Sequence, residues 1–171
     1  MDADRIELSP ALNGPDWRYW LERGEPGLAA LFVMLNPSTA DEQADDPTIR
    51  RCRGFAAMWG CSRLLVGNLF SLRATYPEDL LEQLSLSGSR KVVGADNDRV
   101  LAELVRQADT VVAAWGAQAE RPALRFQATH VRRALRGCGK PIFCLGLTKG
   151  GSPRHPLMVP AMQPLQLWEA V

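Results

Sequence analysis

The chain has 171 residues, 46% of them hydrophobic and 23% charged, with a formal net charge of +1. That length suits one domain, and that composition suits a packed core rather than a disordered chain. No apolar run reaches the roughly 18 residues of a membrane span, and the acidic start Met1-Asp2-Ala3-Asp4 lacks a secretion signal, so a cytoplasmic single domain over 1–171 is expected.

The first stretch reads as an N-terminal extension: a short strand near Arg5–Leu8, a turn at Asn13-Gly14-Pro15 and a segment Trp17–Leu21. Leu28–Leu35 is a continuous apolar run ended by Asn36-Pro37, the pattern of a strand buried on both faces. Asp46-Pro47 has the form of a helix cap with proline at the first helical position, opening a helix to about Trp59. Arg63–Gly67 is the second strand, ended by Asn68. A short helix starts at Pro77, followed by a small-residue loop at Ser85–Ser89 and a helix over Asp96–Ala108. Thr110–Trp115 is the third strand, Ala119–Leu135 a long helix and Pro141–Leu145 the fourth strand. A polar loop over Gly146–Pro160 and an edge strand at Leu165–Trp168 complete the chain.

Strands alternating with helices imply right-handed crossovers and a mainly parallel four-stranded sheet, covered on both faces as a three-layer αβα sandwich. Ligands of such sheets bind outside the carboxyl ends of the strands, which directs attention to Asn36, Asn68, Trp115-Gly116 and the Gly146–Pro156 loop.

Asn36 precedes a proline that favours extended backbone; its amide can orient a water or grip a ligand, or it can simply close a turn. Asn68 stands at the matching point of the next strand, where an amide offers donor and acceptor side by side to a base edge. His155 lies in Lys149-Gly150-Gly151-Ser152-Pro153-Arg154-His155-Pro156, too polar and glycine-rich for core, and is either a solvated loop residue or the acid or electrostatic catalyst. His130 reads as a surface residue. Lys149 and Arg154 can neutralise phosphates.

The acidic stretch Asp41-Glu42-Gln43-Ala44-Asp45-Asp46 can hold a cation or complement a helix N-terminus, and the helix reading is preferred. Cys52, Cys61, Cys138 and Cys144 match neither zinc pairs nor a disulfide framework; no metal and no cofactor are expected. Residues 1–110 carry 12 Lys/Arg against 17 Asp/Glu, and the remainder 8 against 2. The basic C-terminal third faces an anionic partner, or it is a solvated basic helix at 121–136.

Met34-Leu35-Asn36-Pro37-Ser38-Thr39-Ala40-Asp41, then Asp46-Pro47-Thr48-Ile49-Arg50-Arg51 and Asn68-Leu69-Phe70, resemble the bacterial and phage domain-of-unknown-function family with an "NPSTAD" signature (DUF 1643). The motif order is also distantly similar to the uracil-DNA glycosylase superfamily. There an Asn-Pro ends strand one, an asparagine ends strand two, a Trp-Gly segment follows strand three and a His-Pro loop follows the last strand. Here these are Asn36-Pro37, Asn68, Trp115-Gly116 and His155-Pro156. The glycine that precedes the family's Asn-Pro is replaced by Met34, and the full His-Pro-Ser-Pro-Leu-Ser string is absent.

That second resemblance implies a glycosylase-like fold and hydrolysis of an N-glycosidic bond in DNA after base flipping, a DNA-repair chemistry. Asn36 would position water and His155 would stabilise the departing base. Asn68, Phe70 and Pro37 would hold the base; Ser38, Lys149, Ser152 and Arg154 would contact DNA, with Leu157 or Met158 as the wedge. The expected partner is DNA, bound by a monomer. The alternatives are a non-catalytic nucleobase- or nucleotide-binding module and a hydrolase of free nucleotides or nucleosides.

Overall fold

The computed structural model describes residues 6–38 and 44–169, and among these six strands form one sheet. They are β1 (Trp20–Gly24), β2 (Ala29–Met34), β3 (Arg63–Asn68), β4 (Thr110–Ala113), β5 (Ile142–Cys144) and β6 (Gln166–Glu169), arranged β1-β3-β2-β4-β5-β6. The four inner strands run parallel, while β1 and β6 pair antiparallel at the two edges. The fold is therefore mixed α/β with a mainly parallel sheet, and the expected four strands are the inner four.

The N-terminal extension is part of that sheet, which corrects the sequence reading. Residues 6–8 are not a strand (Arg5 lies outside the described residues); a 3-10 turn over Pro10–Leu12 precedes β1. Alternation within β1 is hidden because Leu21 is buried while its neighbours are only partly so. The parallel strands are easier to read because both faces of each are covered: all six residues of β2 are buried.

Side-chain alternation sends Ala29, Leu31 and Val33 into one core and Ala30, Phe32 and Met34 into another. Helix α1 (Pro47–Met58) covers the second core with Ile49, Cys52, Phe55 and Ala56. The first core takes Leu80 from α2 (Pro77–Ser87), Val92 from α3 (Ser89–Val93), Leu101 and Leu104 from α4 (Asn97–Gln107), and Val131 and Leu135 from α5 (Arg125–Arg136). Gly67 lets α4 approach β3 closely: an added Cβ would stand 2.6 Å from Leu101 and 3.0 Å from Leu104.

Two further expectations need correction. Ser85–Ser87 continue α2, because the glycine that stops it is Gly88, whose N–H bonds back to the Leu84 carbonyl at 3.0 Å. The helix expected from Ala119 is split: a 3-10 turn spans Ala117–Glu120, and α5 begins only at Arg125, after Pro122.

Phe32 is fully buried, with ring centroids 6.4 Å from Phe55 and 5.7 Å from Trp59. Truncating such a side chain removes its burial and leaves a cavity. Phe32→Ala is expected to cost about 3–5 kcal/mol of stability, measured by urea unfolding; a loss under about 1 kcal/mol would contradict a close-packed α1 face.

Candidate functional site

Strand β2 lies between β3 and β4. The chain leaves β2 through α1 to reach β3 on one side, then crosses back to enter β4 on the other. The crevice at the carboxyl ends of β2 and β4 is thus the topological switch point, where open α/β sheets bind ligands. The two strands stay paired as far as Ala114 N–H to the Val33 carbonyl, 2.8 Å. A cavity of about 430 Å³ lies at these strand ends, with Met34, Leu35 and Asn36 from one strand and Trp115 and Gly116 from the other in its walls.

Three other segments complete it. Asp46 and Thr48 come from the start of α1, Thr75 and Pro77 from the β3–α2 connection, and His155 and Met158 from the last long loop. Gly116 has φ +77°, and its N–H donates to the Pro153 carbonyl at 2.8 Å. An added Cβ would stand 3.1 Å from the His155 Cβ, so glycine's lack of a side chain sets the approach of the two loops.

Asn36 donates from Nδ2 to the carbonyls of Pro37 (3.0 Å) and Ala74 (2.8 Å). These commitments fix the amide's direction and leave Oδ1 as its acceptor. His155 accepts at Nδ1 from the Leu157 N–H, 3.3 Å, which places the ring proton on Nε2 in the neutral form. Burial pushes the imidazole below its ordinary value of 6.5, against an opposing pull from the Asp46 carboxylate.

Asp46 is the N-cap of α1, accepting from Ile49 N–H at 2.8 Å, in keeping with its place before Pro47. Its neighbour Asp45 pairs with Arg23 Nε (2.7 Å) and Arg53 (2.8 Å), tying β1 to α1. Burial acts to raise the Asp45 carboxyl, but hydrogen bonds from Arg53 and Arg23 outweigh it and hold the group below its ordinary value. Asp41 and Glu42 lie outside the described residues, and among the described residues no three His, Cys, Asp or Glu side chains gather as a metal site requires.

Asn68 is placed differently from its expected role. It is 0% exposed, and the cavity walls do not include it. The reason is that the chain stays alongside β2 beyond Asn68: Leu69 N–H bonds to the Met34 carbonyl (2.8 Å) and Phe70 N–H to the Leu35 carbonyl (2.9 Å). The turn into the cavity therefore comes later, at Ala74 and Thr75. The Asn97 Nδ2 donates to the Asn68 and Leu69 carbonyls, both at 3.0 Å, while the Asn68 side-chain amide has no partner among the described residues. Phe70 is likewise core, edge-on to Phe126 at 6.0 Å, and Pro37 is buried outside the cavity walls.

Ser38 lines the cavity. Ser152 lies instead in a neighbouring groove of about 440 Å³ with Arg125, Arg132 and Trp168, and Trp115 borders both spaces. Lys149 and Arg154 are exposed and line neither, Arg154 Nε donating to the Leu147 carbonyl at 3.0 Å. Leu157 is 39% and Met158 71% exposed beside His155. Several cations of the basic C-terminal third are engaged within the chain: Arg121 with Glu78, Arg132 over the Trp168 ring, and Lys140 with three carbonyls that include those of Val105 and Ala108 at the end of α4.

Two cavity residues escape the sequence reading. Arg18 is only 3% exposed and lines the cavity, carried there by its N–H bond to the Ser71 carbonyl, 2.8 Å. A lone charge between Trp17 and Tyr19 is the available signal. Asp46 reads from sequence chiefly as a cap. A larger groove of about 530 Å³ lies at the amino ends of the parallel strands, but its Glu22, Arg63 and Gln107 side chains are bonded to one another.

A family model described as a protein of unknown function (DUF1643) matches residues 17–157. The chain belongs to the DUF1643 family. The matched stretch runs from the residue before Arg18 to just past His155, so it spans all of the DUF1643 cavity but Met158. No curated protein and no solved structure matches the chain.

His155 yields a pH prediction. A histidine whose folded value lies below its unfolded one binds fewer protons folded, so stability is lost as pH falls through the unfolded value near 6.5. From about pH 7 to about pH 5 the wild-type melting temperature should fall more steeply than that of His155→Gln. Parallel slopes in thermal denaturation would show that the imidazole is not held neutral.

Proposed function

We propose that the chain recognises a nucleobase in the switch-point cavity and hydrolyses its N-glycosidic bond, acting as a DNA-base glycosylase-like enzyme. The observation that carries this reading is that Asn36 and His155, from opposite ends of the sequence, line one cavity with complementary functional atoms. The likeness of motif order to the uracil-DNA glycosylase superfamily supports it. So does the placement of helices on both sides of the sheet, which fits a three-layer αβα arrangement of that kind.

The chemistry follows from the groups present. The C–N bond breaks with its electron pair leaving on the base, and positive charge grows on the sugar. Asn36 Oδ1, its Nδ2 being committed to Pro37 and Ala74, accepts from a water and orients its oxygen toward the sugar carbon. A neutral His155 donates a hydrogen bond from Nε2 to the departing base and so stabilises its charge. The water's oxygen forms the new bond, and its proton ends on the base.

The exposed Leu157 and Met158 beside His155 favour DNA as substrate, because a flipped base leaves a gap for an apolar side chain to fill. The groove containing Arg125 and Arg132 across Trp115 is suited to flanking phosphates. A second reading, a hydrolase of free nucleosides or nucleotides, is favoured by the size of the cavity, which falls in the roughly 300–1,000 Å³ range of small-molecule sites and exceeds what a base ring needs.

Incubation with duplex and single-stranded oligonucleotides carrying modified bases should yield abasic sites, lost about 100-fold or more in Asn36→Ala and in His155→Ala. Leu157→Ala should impair duplex cleavage while sparing any free nucleoside hydrolysis. Binding without abasic sites would replace catalysis with a base-binding module.

A further inference from the structure

We propose that the base taken by this cavity is guanine or a closely related 2-amino-6-oxopurine. The inference deepens the reading above and rests on its assignment of the cavity to a nucleobase. It comes from the opposed charges in the cavity walls. Arg18 enters from the β1 and β3 side, where it also borders an adjoining groove lined by Leu21 and Arg73. Asp46 enters from the start of α1, at the end occupied by His155, which feels its charge. The cavity thus offers a guanidinium on one side and a carboxylate on the other, with apolar surface from Leu35, Ile49 and Trp115 between.

Arg18 is brought in by backbone pairing and not by a solvent-facing loop. Trp17 bridges Leu72, and Arg18 N–H bonds to Ser71. A guanidinium on so deeply buried a residue presents donors alone, in a planar fork. Asp46 presents acceptors alone; among the described residues Ile49 N–H engages its Oδ1, and Asn36 adds a further acceptor in the same space.

The complementary ligand is a flat ring with two adjacent acceptors on one edge and two adjacent donors on another. Guanine has O6 and N7 together on one edge, the pair that arginine reads bidentately, and N1–H beside the 2-amino group on the other. Adenine turns an amino group toward the guanidinium and a lone pair toward the carboxylate, opposing both charges. Uracil has a single N–H between two carbonyls and lacks the paired donors. The charges alone therefore rank the bases.

Titration calorimetry of the full chain with guanosine, inosine, adenosine and uridine, and with short single-stranded oligonucleotides bearing the same central bases, tests this ranking. Guanosine or the guanine oligonucleotide should bind tightest. Its inosine counterpart, lacking only the 2-amino group, should be weaker by roughly 5- to 150-fold. Asp46→Asn retains a good helix cap, so the chain should fold as before while the guanosine-to-inosine ratio falls toward one. Arg18→Lys keeps the charge but not the fork and should weaken both purines together. Equal binding of uridine or adenosine would overturn the guanine assignment and leave the base pocket standing. Failure of every nucleoside and oligonucleotide to bind would overturn both.

Discussion

Strands β2 and β4 are hydrogen-bonded through Val33 and Ala114, and the cavity lies where both end. Their crossovers depart on opposite sides, which leaves that end of the sheet uncovered by either connection. The remaining architecture serves this opening. Helix α1 closes one wall with its first turn, the β3–α2 connection closes another, and the loop after β5 folds back so that Gly116 and His155 meet. Backbone hydrogen bonds fix each wall: Ala74 N–H to the Pro37 carbonyl, Gly116 N–H to that of Pro153, and Arg50 N–H to that of Asp46 in the first turn of α1. Functional side chains are then presented by rigid main chain, which suits a site that must discriminate by position.

The inner strands are legible because burial on both faces writes itself as an unbroken apolar run, as in Ala29–Met34. Asp46-Pro47 is legible for a local reason, since cap and first-turn proline need only their own neighbours. The edge strand β1 is not, because its residues Trp20–Gly24 take their pattern from β3, far along the chain by the register Leu21 to Val66. Pairing partners so distant leave no mark on local composition.

Asking what stands just past a strand end finds Asn36 and His155, and both line the cavity. The same question misplaces Asn68. Its strand continues through Phe70 by bonding to β2, and nothing in Gly67-Asn68-Leu69 announces that extension. Asn68 instead lies in the interior with Asn97 bonded to its carbonyl. A buried amide without a partner costs about 1–3 kcal/mol, so the β3–α4 contact around it carries a polar burden that an apolar residue would not. Arg18 is missed for the converse reason, a charge hidden among aromatic residues in a segment that reads as peripheral.

The segment from Trp17 to Gly24 covers the outer side of β3, whose unpaired N–H and C=O groups would otherwise invite another chain. That same ribbon delivers the Arg18 guanidinium to the cavity. Guarding the border of the sheet and furnishing one pole of the binding chamber are thus inseparable duties of a single stretch of chain. Any lineage that sheds this ribbon surrenders recognition and becomes sticky in one step, so the amino-terminal region is the part of the molecule least free to drift.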